Sequence, residues 1–168
     1  MKISLRSRHE FVEANQVTDE PVELLDIFPT LADLAGLPVP PPCTTDDIRA
    51  RTELCTQGKS VKIGSIPKDS VAVSQYPRSS TNPLHISPAP KLNTIRYMGY
   101  TARYRHFRYT MWVKFDNVAV KPEMGRLIAD ELYDYDIDPD GNFNAVKNES
   151  YALKIDFLRR EIKSRILF

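Results

Sequence analysis

Tyr76-Pro77-Arg78 is the tripeptide of this sequence best equipped to hold an anion. An arginine guanidinium is a planar fork of N–H donors that meets a carboxylate or sulfate through two parallel hydrogen bonds. The proline beside it reduces the entropy lost in ordering the loop. On residue type alone, Arg78 serves equally well to pin its loop to an internal carboxylate. A second basic set lies within residues 95–115, IRYMGYTARYRHFRYTMWVKF, where Arg96, Arg103, Arg105 and Arg108 are interleaved with Tyr100 and Tyr104. Arginines among aromatics are the means by which a non-catalytic module grips an anionic polymer such as RNA or a glycosaminoglycan.

Cys43 and Cys55 are the only cysteines. Their spacing is too wide for a CxxC redox or zinc pair, and no neighbouring histidine or second cysteine pair completes a metal site. Two chemistries stay open: a disulfide worth about 3 kcal/mol in the chain-entropy model, given an oxidising compartment, or two free thiols in a reducing one. Asp134, Asp136, Asp138 and Asp140 alternate as calcium ligands do. An EF-hand loop needs Gly at its sixth position and Glu at its twelfth, whereas counting from Asp134 those positions hold Pro139 and Ala145. The cluster reads as a solvated turn that offers partners to the arginines of 95–115. Asn148-Glu149-Ser150 is an N-glycosylation acceptor, expected on exposed chain.

Composition narrows the class. In 168 residues, 23 Lys and Arg face 22 Asp and Glu, a formal net charge of +1. The chain as a whole therefore gives no electrostatic case for nucleic acid or an anionic membrane, and any basic patch is local. No apolar run approaches a membrane span, and residues 1–20 are too charged for the apolar middle of a signal peptide, so the sequence as written carries no export address. Thirteen prolines against six glycines indicate extended, proline-braced connections, concentrated at 38–42 and 77–90.

The elements that must position these groups follow from periodicity. Residues 2–5 read as a short strand. Leu25, Phe28, Leu31, Ala32 and Ala35 fall at helical spacing, with Gly36 and Pro38 as the stop, which predicts a buried core helix over 25–35. Pro29 belongs in its first turn, where a missing N–H costs nothing. Residues 70–75 alternate as a strand that delivers Tyr76-Pro77-Arg78 as a loop, followed by an irregular Pro/Ser-rich segment containing His85. Residues 95–102 and 107–115 form a hairpin about a polar break at 103–106, its second arm alternating Phe107, Tyr109, Met111, Val113 and Phe115 on a dry face with His106, Arg108, Thr110, Trp112 and Lys114 on a wetter one. Residues 116–123 read as turn-like, with a short strand at 132–133. Tyr151, Ile155, Leu158, Ile162 and Ile166 share one helical face, and Asp156/Arg160 and Glu161/Arg165 are set for i,i+4 pairing on the other. The fold class is α+β: an antiparallel sheet of about four strands covered by a C-terminal helix, about 151–166, and preceded by a short helix.

Several of these segments together resemble the sulfatases of the alkaline-phosphatase superfamily. LLDIFPTLADLAGLPVP is similar to a helix late in those enzymes, and ELYDYDIDPDGNFN to their terminal ELYD...DP...N segment. Cys43 with Glu53-Leu54-Cys55, Ser74 to Arg78, Met98-Gly99-Tyr100 and the run Arg108 to Val113 agree in order and spacing. The resemblance covers about 21–150, and the terminal helix rests on periodicity alone.

The resemblance implies a lysosomal hydrolase that removes the 2-O-sulfate of iduronate in heparan and dermatan sulfate, using calcium and a formylglycine made from cysteine. It also implies that residues 1–60 are the tail end of the large sulfatase domain, including the 43–55 loop, and that 61–168 are the C-terminal antiparallel-sheet subdomain. The modification motif Cys/Ser-x-Pro-x-Arg is absent: Cys43 is followed by Thr44-Thr45, and Ser65-Ile66-Pro67-Lys68-Asp69 ends in Asp where Arg is required. The expectation is a C-terminal portion with no catalytic or metal residue of its own, inactive alone. Its partners are the N-terminal catalytic portion and, through the complete enzyme, a sulfated glycosaminoglycan, with no nucleic acid and no membrane. In that setting Tyr76 and Arg78 are expected on the cleft side, positioning the anionic sugar, and Cys43 and Cys55 are expected to be paired.

Overall fold

A computed structural model describes residues 18–43, 54–61, 66–80 and 89–166. The short strand expected at 2–5, His85 and Ser65 lie outside them. The chain divides into two compact units, with the break between Ala72 and Val73.

In the first unit a 3-10 turn, Leu24–Asp26, runs into helix α1, Ile27–Leu34. Glu23 and Asp26 form a reciprocal capping box in which Asp26 Oδ2 accepts the Glu23 N–H at 3.0 Å. Pro29 is the third helical residue, inside the first turn as its chemistry requires. Gly36, with φ 69°, ends the helix, and its N–H and that of Leu37 return to Asp33 and Ala32 carbonyls.

What covers α1 differs from expectation. Segment 58–61 straps its polar side: Asp26 Oδ1 accepts Lys59 N–H, Thr30 Oγ1 accepts Val61 N–H, and Ser60 Oγ donates to Asp33 Oδ2. A Cβ at Gly58 would lie 2.0 Å from the Leu25 carbonyl oxygen, so only glycine permits this approach. Leu25, Phe28 and Leu31, the expected core face, are each about half exposed. Periodicity identified the helix correctly but carries no information about what lies against its apolar side. Cys43 and Cys55 are joined by a disulfide, beside a parallel bridge between Pro42 and Thr56. The free-thiol alternative is set aside.

The second unit is a four-stranded antiparallel sheet in the order β1 (Val71–Arg78), β2 (Tyr97–Tyr104), β3 (Phe107–Asp116), β4 (Lys121–Asp134), followed by helix α2, Ala152–Ile166. The architecture is the expected α+β arrangement. The dry face holds Tyr100, Ala102, Tyr104, Phe107, Tyr109, Met111, Val113 and Leu132, all buried. Helix α2 lies over β2 and β3 and buries Ile155, Leu158 and Ile162. Its outer side carries the expected Asp156–Arg160 and Glu161–Arg165 pairs at 3.6 and 3.8 Å. Tyr109 Oη donates to Asp130 and accepts from Arg159 Nε, both at 3.1 Å, and Arg159 Nη2 reaches Asp130 at 3.0 Å. A three-residue knot thus fastens helix to sheet.

Three boundaries shift for identifiable reasons. The hairpin turn is only Arg105 and His106, with Arg105 at φ 48°, so Arg103 and Tyr104 belong to β2. Strand β4 is fourteen residues long rather than a short piece at 132–133. Its register against β3 slips between Trp112 and Val113 and again between Val113 and Lys114, which scrambles the alternation that marks a strand in sequence. Strand β1 continues through Arg78, because an edge strand tolerates the missing N–H of Pro77.

Candidate functional site

Tyr76 and Arg78 therefore sit on the last residues of an edge strand, not on a loop beyond it. Two apart on a strand, they share one sheet face. The Arg78 carbonyl accepts the Arg96 N–H at 2.9 Å, which fixes the end of β1 to the start of β2. Tyr76 is 42% exposed. The Arg78 guanidinium lies 4.3 Å from the centroid of the Trp112 ring, two strands away on β3.

The sequence makes that reach possible through Gly99. Gly99 faces Trp112 across the β2–β3 pairing, and a Cβ there would fall 2.6 to 2.8 Å from Cζ3, Cη2 and Cε3 of the indole. With no side chain in the way, the indole lies across β2 towards β1. Its Nε1–H donates to Glu131 Oε1 at 2.9 Å, and the other oxygen of Glu131 accepts from Tyr133 Oη at 2.9 Å.

The pattern repeats along the same face. Arg103 and Arg108 are direct cross-strand partners. Arg108 lies 4.6 Å from the Tyr133 ring centroid and Arg103 lies 4.3 Å from that of Tyr135. Burial, offset by the Tyr135 hydroxyl and reinforced by the like charge of Arg108, lowers the Arg103 guanidinium from its usual value. It stays a cation at any physiological pH. Burial and the hydrogen bond to Glu131 raise the Tyr133 phenol.

Stacking on these rings holds the guanidiniums without neutralising them. Among the described residues, Arg78, Arg103 and Arg108 make no ion pair, and the Nε–H groups of Arg78 and Arg108 are buried without a hydrogen-bond partner. An unmet buried donor costs about 1–3 kcal/mol.

The internal-carboxylate alternative for Arg78 thus finds no partner among the described residues, and the acidic turn does not serve the hairpin arginines as expected. Asp134 is buried, accepting from Tyr151 Oη at 2.8 Å and from the Asp136 N–H at 3.1 Å. Asp136 pairs with His106 Nδ1 at 3.0 Å, and Asp138 caps the Phe143 N–H at 2.7 Å. Asp134, Asp136 and Asp138 are thus engaged by backbone, a tyrosine and a histidine, which reach them more directly than the long arginines do.

The Arg/aromatic set named from sequence is divided by the sheet. Tyr100 and Tyr104 are buried on the helix side, whereas Arg103 and Arg108 lie on the open side. Arg105, in the hairpin turn, lies 5.3 Å from the Tyr104 ring centroid, whereas the rings that accompany Arg78, Arg103 and Arg108 are Trp112, Tyr133 and Tyr135. The signal for two of them was present as period-2 alternation with Arg108 and with Glu131, but it needed the β3–β4 register to be read.

Among the described residues, one group of His, Cys, Asp and Glu side chains converges closely enough to hold an ion: His106, Asp134 and Asp136. Calcium takes six to eight oxygen ligands, and one imidazole with two carboxylates, one of them already engaged by Tyr151, does not fit it. Asn148 is exposed, and its Oδ1 accepts from both the N–H and the Oγ of Ser150, at 3.0 and 2.8 Å.

No family model matches the sequence. Among curated proteins, iduronate 2-sulfatase of Mus musculus is 35% identical over 163 residues, covering 89% of this chain and 29% of that protein. The Homo sapiens iduronate 2-sulfatase is 36% identical over 146 residues, covering 79% of this chain and 26% of that protein. The chain is homologous to iduronate 2-sulfatase. The sulfatase resemblance drawn from its separate segments is therefore a continuous relationship. The chain spans less than a third of the length of the iduronate 2-sulfatases it matches. Among its described residues, no helix is long and apolar enough to cross a membrane.

Proposed function

We propose that this chain is the C-terminal portion of an iduronate 2-sulfatase-like enzyme that hydrolyses the 2-O-sulfate of iduronate in heparan and dermatan sulfate. In this reading residues 1–60 end the large domain and 61–168 form the small subdomain, whose edge strand supplies part of the substrate cleft. Tyr76 and Arg78 position the anionic sugar. The formylglycine and calcium belong to the N-terminal catalytic portion, which is the chain's partner, and the enzyme works in the lysosome.

The observation that carries the reading is the state of Arg78. A structural arginine is placed where a carboxylate meets it, yet this one is stacked on Trp112 with no such partner among the described residues and a buried Nε–H unmet. Its stacking pre-sets the guanidinium plane, so less entropy is lost when an anion docks. Its edge position leaves Tyr76 exposed on the same face to contact the sugar.

A chimera tests the reading: the mouse iduronate 2-sulfatase with its matching segment replaced by this chain. The chimera is expected to release sulfate from a 2-O-sulfated iduronate disaccharide, and the chain alone to release none. A folded, secreted chimera without activity, or sulfate release by the chain alone, contradicts it.

A further inference from the structure

We propose that the open face of the sheet is an oligosaccharide subsite, in which Arg103 and Arg108 extend the anion site begun by Arg78 and bind the carboxylates or sulfates of sugar units beyond the one being cleaved. This rests on the reading of Arg78 given above and adds two residues and a ligand length to it.

Three observations carry it. First, the face is cationic by construction. Arg78, Arg103 and Arg108 all stack on rings of this face, and Lys114 alternates onto the same side of β3. Of the carboxylates that face these cations from β4, Glu131 is occupied by Trp112 and Tyr133, and Glu123, opposite Lys114, is paired with Arg126. Second, the spacing selects a chain. Arg108 and Trp112 are four residues apart on β3, about 13 Å at the rise of a strand. With Arg78 on Trp112, the cations at the two ends are too far apart for one sugar ring to bridge. Third, the rings are spoken for. Single-stranded nucleic acid gains much of its affinity by laying bases on open aromatic faces. Here Trp112, Tyr133 and Tyr135 each already have a guanidinium stacked against them. What the face presents is guanidinium edges, which suit carboxylate and sulfate groups rather than bases.

The test uses the intact chain with heparin-derived disaccharide and hexasaccharide as probes, measured by calorimetry, and with poly(U) as a competitor class. The hexasaccharide is expected to bind about tenfold or more tighter than the disaccharide, since each added charge-assisted contact is worth roughly one decade. Arg103→Ala with Arg108→Ala is expected to remove that advantage while leaving disaccharide binding unchanged. The Lys/Lys double variant keeps the charge but loses the bidentate fork, and is expected to recover only part of it. Should the double Ala variant fail to fold, Arg103→Lys and Arg108→Lys singly provide the same comparison. Equal affinity for the two lengths, an advantage that survives in the double variant, or tighter binding of poly(U) overturns the subsite. Arg78→Ala separates this from the underlying reading. If it leaves disaccharide handling unchanged, the Arg78 site fails whatever the length dependence; if it abolishes disaccharide handling while hexasaccharide binding ignores Arg103 and Arg108, the extension alone fails.

Discussion

Gly99 lies directly opposite Trp112 in the β2–β3 pairing, and a Cβ on Gly99 would come within 2.6 Å of the indole. The absence of one methyl group is what lets Trp112 cross β2 and meet Arg78 on β1.

Gly99→Ala is expected to push the indole off β2 and to cost about 1–3 kcal/mol, the usual penalty for overpacking. Because Trp112 is the only tryptophan, its fluorescence reports the displacement directly, and urea unfolding reports the cost. Unchanged emission and an unchanged unfolding midpoint contradict the packing described.

Burial and a hydrogen bond to Glu131 raise the Tyr133 phenol, a hydrogen bond to Asp134 and burial raise that of Tyr151, and two core tyrosines are raised further. Burial pushes both Tyr100 and Tyr109 up to about 12, from an ordinary value near 10. The neutral phenol is the form the fold keeps, so this contribution to stability is complete below about pH 10 and is lost as pH rises towards 12. Absorbance of phenolate during a pH titration should show part of the tyrosine signal lagging, with Tyr100 and Tyr109 ionising last and unfolding accompanying their ionisation. Ionisation of all eight tyrosines together near pH 10 in a still-folded chain would be incompatible with the buried core.

Arg159 and Arg160 are neighbours with different work. Arg159 completes the knot with Tyr109 and Asp130, whereas Arg160 makes only an exposed pair with Asp156. Arg159→Ala is expected to destabilise by about 1–3 kcal/mol, because it leaves Asp130 and the Tyr109 hydroxyl short of a partner, and Arg160→Ala by less than about 0.5 kcal/mol. Chemical denaturation of the two variants side by side checks the contrast.

Much of this unit was legible in sequence. The alternation of Phe107, Tyr109, Met111 and Val113 located the buried face, and the 3.6 period of Ile155, Leu158 and Ile162 located its cover. The site was less legible. Arg78 and Trp112 lie 34 positions apart in the chain, and their meeting depends on strand order, on the edge position that lets Pro77 sit in a strand, and on Gly99. No local pattern encodes any of these. The acidic turn departs from expectation for a related reason: the hairpin turn places His106 beside Asp134 and Asp136, so a histidine engages the carboxylates expected to face arginines.

Two covalent expectations are open to mass measurement. Cys43 and Cys55 should resist alkylation until the secreted protein is reduced, given their disulfide. Asn148, exposed and already bonded to the Ser150 hydroxyl of its own acceptor motif, should carry a glycosidase-sensitive mass increment that Asn148→Gln removes. Secreted wild-type protein lacking that increment contradicts the glycosylation.

The central claim is that Arg78 binds substrate, and kinetics of Arg78→Ala in the sulfatase chimera test it most directly. Two substrates are compared, a 2-O-sulfated iduronate disaccharide and a small aryl sulfate that carries no sugar. The predicted result is a fall in disaccharide kcat/KM worth about 1.5–3 kcal/mol, with aryl sulfate turnover and the thermal midpoint little changed. A variant that loses thermal stability and secretion yet keeps its disaccharide kinetics per folded molecule would contradict the claim and leave Arg78 a structural residue.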